Sequence, residues 1–250
     1  MYTIDIFGDS FSHYNSRYTS DITWLDILNE KYGIKNFSLD GVGAHYCIEK
    51  FMELEEYSDF LLFMIPDLNR LNLEYIKDKS KQSEFSIIFK QMESGSYDFP
   101  EFFDEEIVDK SEKIFSDYLG FYNSELHKIL EPLMVQYVFS RANYYKKILV
   151  WASSGLGYPF LYNNNIIIPD NCYIVEGSLN KISTYELKWE DTYGDEDSIE
   201  PRKVFGKDKR NNHLHIDNHK VLAQSIDNYF QHDDKPNSSN FYTNISSFGE

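Results

Sequence analysis

Short apolar runs, separated by segments with helical spacing, recur along this chain. Tyr2–Phe7 alternates in the manner of a strand, whereas Phe60–Ile65 and Lys147–Ser153 are apolar almost throughout, which is typical of strands buried on both faces. Asn36–Leu39 is predicted as a short second strand, and Tyr173–Val175 as an edge strand. The pattern therefore predicts a sheet whose inner strands are covered from both sides.

Apolar residues that recur every three or four positions predict helices elsewhere in the chain. Gly33 is expected to end the first of these helices as its C′ residue, and Pro132 to kink or split the fourth. Strands that alternate with helices indicate a parallel sheet with right-handed crossovers, that is, an α/β fold with three α/β/α layers. The predicted helices are Thr23–Tyr32, Tyr46–Tyr57, Glu105–Leu119, Tyr122–Tyr145 and Asp217–Phe230.

The length of 250 residues suits one α/β domain with a substantial core. We predict a single domain over residues 1–230, within which residues 74–145 form a helical insertion or lid. Residues 231–250 are predicted to be a polar tail with little capacity to contribute to a core.

A formal net charge of -17 limits the partners that this chain is expected to bind. Phosphate backbones and anionic membrane surfaces attract Lys- and Arg-rich patches, so we expect neither nucleic acid nor membrane as a partner. No signal peptide and no run of about 18 apolar residues is visible, which predicts a cytoplasmic protein without membrane insertion. Cys47 and Cys172 have no metal-site spacing and suit a reducing compartment.

Candidate chemistry follows directly after the first predicted strand, at Gly8-Asp9-Ser10. The carboxyl ends of parallel strands meet at one edge of a sheet, where open α/β folds bind ligands. A serine there becomes a nucleophile if a histidine reaches it, whereas Ser or Asp at the same place can instead cap a helix. Position alone does not decide between these two roles.

Two more predicted strands end at the same edge. For Gly41 a tight turn with positive φ is the simpler interpretation, and a source of backbone donors to an oxyanion is the alternative. Asn69 offers a side-chain donor to such an oxyanion, or is only a turn residue. Arg70 is placed either to bind a substrate carboxylate or to pair with one of the many acidic residues.

Three histidines, His213, His215 and His219, lie around the start of the last predicted helix. Zinc ligands on a helix are usually four positions apart, so this spacing argues against a metal and we expect none. A histidine in the loop before an amphipathic helix is better suited to approach a serine at the end of a strand.

These segments together resemble the sequence blocks of the SGNH hydrolases, the GDSL esterase/lipase superfamily, in the order of that family. The family ends its first strand with Gly-Asp-Ser, as Gly8-Asp9-Ser10 does, and has an Asn five residues before its oxyanion glycine, as Asn36 precedes Gly41. Its last block has a His followed at +6 by a second His and at +10 by Ala, matched by His213, His219 and Ala223. The style of the sequence is closest to members from tailed phages.

The resemblance implies an ester hydrolase in which Ser10 is the nucleophile, His213 its base and Asp208 the acid that orients the base. It also implies an oxyanion hole formed by Ser10, Gly41 and Asn69. The reaction needs no cofactor.

The implied substrates are small molecules or glycans that bear a carboxylic ester, commonly an acetyl or short acyl group on a carbohydrate or lipid. We expect Asp9, Arg70 and His45 to contact such a substrate, although a surface or capping role is the alternative for His45. His13, which follows Ser10 closely, lies near the same site.

Two positions depart from the family pattern. Pro66-Asp67-Leu68-Asn69 stands where Gly-x-Asn-Asp is usual, and Arg210 where an acid three residues before the histidine is usual. These departures leave open a catalytically degenerate binding protein or a virion structural protein. An O-acyltransferase would use the same residues and is a further alternative.

Overall fold

The structure is a computed structural model that describes residues 1–13, 22–66, 132–133, 135–153, 166–179, 214, 216–237 and 240–241 of the chain. Its strands are β1 (Thr3–Phe7), β2 (Gly33–Asn36), β3 (Phe60–Ile65), β4 (Lys147–Ala152) and β5 (Cys172–Ser178). Its helices are α1 (Trp24–Asn29), α2 (Ala44–Met52), α3 (135–140), the 3-10 helix Ala142–Tyr144, and α4 (Ile216–His232).

The five strands form one parallel sheet in the order β2-β1-β3-β4-β5. Helices cover both of its faces, which confirms the predicted three-layer α/β/α fold. One apolar cluster lies between the sheet and helices α1 and α4, and the other between the sheet and helices α2 and α3. Alternate residues of each strand serve the two clusters, so that Ile4 and Ile6 face α1 and α4 whereas Phe7 faces α2.

The inner strands β3 and β4 explain why their sequences are nearly continuous apolar runs. All six residues of β3 are buried, and so are five of the six residues of β4. The predicted β3 is confirmed at its stated bounds, and β4 ends one residue earlier than predicted. The predicted edge strand Tyr173–Val175 is confirmed as the middle of the longer β5.

The first helix and the second strand differ from their predictions. Thr23 caps α1 in a capping box with Asp26, but the helix ends at Asn29, and Gly33 is the first residue of β2 rather than a C′ residue. A Cβ at Gly33 would lie 3.2 Å from Thr3 Cγ2. The predicted strand Asn36–Leu39 was therefore wrong in its bounds, because pairing with β1 begins at the Gly33 amide, which donates to Tyr2 O.

The remaining helices keep their predicted places with shifted ends. Helix α2 begins two residues before its predicted start and ends at Met52, and α4 extends the predicted Asp217–Phe230 at both ends. The described part of the predicted helix Tyr122–Tyr145 is helical at 132–133 and over 135–140, and it continues as the 3-10 helix Ala142–Tyr144. The rest of the predicted insertion at 74–145 lies outside the described residues and stays a prediction.

The expectation that residues 231–250 contribute little to the core was wrong for Phe241. This side chain is buried and packs edge-on against Trp151 of β4, with ring centroids 5.6 Å apart. The hydroxyl of Tyr173 in β5 donates to Pro236 O at 3.4 Å. Part of the predicted tail therefore lies against the strands at this end of the sheet.

Candidate functional site

The strand order places a topological switch point between β1 and β3, because the chain leaves these two neighbours toward opposite sides of the sheet. Open α/β sheets bind ligands beyond the carboxyl ends of the strands at such a point. The segment Gly8-Asp9-Ser10 follows β1 directly, and Ser153 follows β4 at the same edge. The sequence and the topology therefore indicate the same part of the molecule.

A single helical turn follows β1 and presents Ser10. Asp9 O accepts hydrogen bonds from the amides of Ser12 and His13 at 3.0 and 2.9 Å, which closes the turn, and Ser10 is half-buried. A Cβ at Gly8 would lie 2.1 Å from Ser12 Oγ and 3.0 Å from Met64 Cβ, so the turn packs this closely on β3 only with glycine there. We call residues 9–13 the serine turn.

The buried carboxylate of Asp9 supports this turn through hydrogen bonds. Its Oδ1 accepts from the Phe11 amide at 3.2 Å, which is the capping contact that the sequence offered as an alternative role for Ser or Asp. Its Oδ2 accepts from Ser153 Oγ at 2.9 Å, and Ser153 Oγ also lies 3.0 Å from Ile65 O. Asp9 is 1% exposed, so the geometry favours a supporting role over the substrate contact that was predicted for it.

A second turn containing Gly41 lies beside the serine turn. Gly41 has φ 72°, which confirms the tight turn with positive φ. The Leu39 amide donates to Gly8 O at 3.2 Å, and Asn36 Nδ2 donates to Ser12 O at 2.7 Å. This hydrogen bond gives a structural reason for an Asn five residues before Gly41, because the Asn36 side chain connects the end of β2 to the serine turn.

A third connection joins the same two turns through His13 and Asp40. His13 Nδ1 lies 3.1 Å from Asp40 Oδ1, at the distance of an ion pair but without the direction of a hydrogen bond. Asp40 immediately precedes Gly41 in the chain. The sequence predicted that His13 lies near the site but did not predict its contact with Asp40, because no local pattern links residues so far apart in the chain.

Helix α2 begins directly after the Gly41 turn. His45, in its first turn, is half-buried, and its substrate contact stays a prediction. Cys47, one turn further on, is buried and lies with its Sγ 3.6 Å from Gly8 O, to which it donates. The helix therefore packs behind the serine turn.

On the opposite face of the sheet, Trp24 joins the serine turn to α4. Its Nε1 donates to Phe11 O at 2.9 Å, and its amide donates to His219 Nδ1 at 3.4 Å. Leu214, just before α4, is buried in the same apolar cluster as Phe11 and Trp24. The chain next to position 213 and the chain next to Ser10 thus pack on the same face of the sheet.

Several predicted site residues lie outside the described residues, and their roles stay predictions: His213, Asp208, Asn69 and Arg70. Within the described ranges, no group of three or more His, Cys, Asp and Glu side chains is arranged to hold a metal ion. No helix in the described part of the chain is long and apolar enough to cross a membrane.

Comparisons of this chain with protein-family models, with curated proteins and with solved structures found no match.

Proposed function

We propose that this protein is a serine hydrolase of carboxylic esters that uses Ser10 as its nucleophile. The observation that carries the proposal is the position of Ser10 on a tight turn after β1, at the switch point of a parallel sheet. The resemblance of the sequence to the SGNH hydrolases supports the same role. Asp9 provides the capping contact to the Phe11 amide in this turn.

In the proposed reaction Ser10 Oγ attacks the ester carbonyl carbon while His213 accepts the hydroxyl proton. The tetrahedral intermediate then collapses, the carbon–oxygen bond of the ester breaks, and His213 returns the proton to the leaving alcohol. A water molecule attacks the acyl-enzyme in the same way and releases the acid and Ser10. Asp208 is proposed to orient His213.

The oxyanion of the intermediate is proposed to accept hydrogen bonds from the amides of Ser10 and Gly41 and from the Asn69 side chain. The described contacts between the serine turn and the Gly41 turn support the first two donors, since they keep both amides on neighbouring loops. Loss of one donor of this kind typically costs about 3 kcal/mol of activation free energy.

Leu214 supports the proposed approach of His213 to Ser10. It is buried in the cluster that also holds Phe11, and adjacent Cα atoms in a chain are only about 3.8 Å apart. The substrate class proposed from the resemblance is an acetyl or short acyl ester of a carbohydrate or lipid, with Arg70 and His45 as contacts.

The test is hydrolysis of p-nitrophenyl acetate together with labelling by a fluorophosphonate probe, mapped to the modified peptide. Ser10→Ala is expected to abolish both. Ser38→Ala is the matched control, because this serine lies in the neighbouring loop and its buried hydroxyl makes no hydrogen bond within the described residues. It should keep activity within about twofold of the unchanged protein.

His213→Ala is expected to lower kcat by a factor on the order of a thousand or more, whereas His215→Ala should not. Activity that survives Ser10→Ala would refute the proposal. A protein that neither hydrolyses esters nor labels at Ser10 would instead be a binding or virion structural protein on this fold. Transfer of the acyl group to added sugar acceptors, detected in the products, would identify an O-acyltransferase.

A further inference from the structure

We propose that His13 is a positioning residue of this site, which acts through Asp40 to hold the Gly41 turn against the serine turn. The inference rests on the proposed roles of Ser10 and Gly41, and it adds a residue pair that the resemblance to the SGNH hydrolases did not supply.

The main chain of His13 belongs to the serine turn. Its amide donates to Asp9 O at 2.9 Å, and this bond closes the turn that presents Ser10. Its side chain reaches the other turn, where Nδ1 lies 3.1 Å from Asp40 Oδ1. One residue is therefore fixed in the first turn and contacts the residue next to Gly41 in the second.

Two other hydrogen bonds between the segments that contain these turns lie further from Gly41 along the chain. Asn36 Nδ2 donates to Ser12 O, and the Leu39 amide donates to Gly8 O. Asp40 follows Asn36 and Leu39 in the sequence and directly precedes Gly41, which has a positive φ. It is therefore placed to influence the orientation of the Gly41 amide, which the proposed reaction uses as an oxyanion donor.

Both side chains are partly exposed, 31% for His13 and 19% for Asp40, whereas the contacting Nδ1 and Oδ1 atoms are themselves buried. Because both side chains reach solvent, we expect the pair to contribute little to global stability. Small displacements of a donor at a reacting centre, in contrast, have large effects on rate, up to about a hundredfold for a shift of roughly 1 Å. The pair should therefore matter more to kcat than to folding.

The experiment compares His13→Ala, Asp40→Ala and the double variant by steady-state hydrolysis of p-nitrophenyl acetate. Each single variant is expected to lower kcat about tenfold with KM within about twofold, and the double variant to lose no more than either single one, since both remove the same contact. His13→Asn places an amide near the position of Nδ1 and should recover most of the activity. Lys50→Ala, which removes an exposed ion pair with Glu53 on α2, is the control and should leave kcat unchanged.

A second measurement does not depend on activity. Hydrogen exchange in peptides that cover residues 36–43 should be faster in His13→Ala and in Asp40→Ala than in the unchanged protein or Lys50→Ala. The midpoint of urea unfolding should be the same in all four proteins within error, which separates local loosening from loss of stability.

The outcomes distinguish this inference from the proposed function. If Ser10 is labelled in the unchanged protein while His13→Ala alters neither kcat nor exchange at 36–43, the positioning role is wrong and the hydrolase remains. If KM rises with kcat constant, or if the losses in the double variant multiply, His13 acts on the substrate independently of Asp40 and the inference is also wrong. If activity survives Ser10→Ala, the proposed function fails, and unchanged exchange would then remove the positioning role as well.

Discussion

Asp5 lies in the middle of β1, with its carboxylate bonded to residues that precede β3 and β4, whereas Asp9 lies just beyond the carboxyl end of β1. A buried aspartate thus serves different purposes toward the two ends of the strand. Asp5 is 0% exposed and Asp9 is 1% exposed. Both carboxylate oxygens of Asp5 accept hydrogen bonds from donors in the interior, and these bonds stabilise the fold. Around Asp9, the same kind of carboxylate stabilises a turn whose next residue, Ser10, is half-buried at the open edge of the sheet.

The Asp5 carboxylate is the centre of a closed hydrogen-bond network. Ser58 Oγ donates to Oδ1 at 2.6 Å, and the Ser58 amide and the Tyr145 hydroxyl donate to Oδ2 at 2.9 and 3.1 Å. Burial and the neighbouring Asp5 carboxylate raise the pKa of Tyr145, which favours the protonated hydroxyl that donates to Asp5. This end of the sheet is built for stability.

Asp9 supports the turn that presents Ser10, the proposed nucleophile. It connects the serine turn, the end of β3 and the end of β4 through Phe11, Ile65 and Ser153. The comparison teaches that burial of a carboxylate does not by itself indicate a functional group. The difference lies in the neighbouring residues, which are buried in the core beside Asp5, whereas Ser10 beside Asp9 is half-buried at the carboxyl edge of the sheet.

The largest effect on stability is expected from Asp5→Ala. It leaves three buried donors without an acceptor, at about 1–3 kcal/mol each, so we expect the free energy of unfolding to fall by about 3–5 kcal/mol. Urea unfolding measures the loss, and ester hydrolysis per folded molecule should be unchanged. Tyr145→Phe is the graded control with a loss of about 1 kcal/mol. A large fall in the activity of folded Asp5→Ala would show that Asp5 also supports the site, and would contradict the distinction drawn between Asp5 and Asp9.

At the other end, Asp9→Ala should affect activity more than stability. Ser153 keeps Ile65 O as an acceptor, so the free energy of unfolding should fall by only about 1–2 kcal/mol. The serine turn loses its capping contact, and a shift of roughly 1 Å at Ser10 would lower kcat by about a hundredfold. Asp9→Asn keeps an acceptor for the Phe11 amide and should recover most of this loss. If Asp9→Ala retains full kcat, Asp9 has no supporting role at the site.

The smallest effect on stability is expected at Asp59, which directly precedes β3, next to the Ser58 that binds Asp5. The hydrogen bond from Lys146 lowers the pKa of this carboxyl below its ordinary 3.8, against its partial burial and with help from Thr3. The folded state therefore binds fewer protons, and the stabilisation is present above the ordinary value and lost as pH falls through the lowered one. Relative to the unchanged protein, Asp59→Asn should lose about 0.5 kcal/mol at neutral pH, and the difference should shrink in acid. Urea unfolding at neutral and acidic pH checks this, and a pH-independent difference would contradict it.

The sequence predicted the part of the site that is local in the chain. Gly8-Asp9-Ser10 follows an alternating run, and the steric need for glycine at position 8 is the reason that the turn can be recognised. Gly41 was predicted as a turn with positive φ, which the structure confirms. The contacts of Asp5 could not be predicted, because Ser58 and Tyr145 are distant in sequence and no pattern marks them as its partners.

The errors in the fold have the same origin. Gly33 has the local features of a helix end, yet the pairing of β2 with β1 decides its conformation. Phe241 lies in a mostly polar stretch, and its contact with Trp151 of β4 gives it a place in the core. In both cases a long-range contact outweighs a short-range preference.

The position of β1 inside the sheet, between β2 and β3, has a consequence for folding kinetics. This strand is synthesised before either of its neighbours, yet Ile4 pairs both with Ile34 and with Phe60, and the next pairing joins Phe60 to Lys147. Contacts between residues so far apart in sequence form late, since the entropy of closing long loops is lost before the contacts compensate for it. The strand that leads into Ser10 is therefore synthesised before both of its partners, and the turn after it is complete only when Ser153, beyond β4, reaches Asp9. The proposed hydrolytic activity should therefore report the end of folding rather than its beginning.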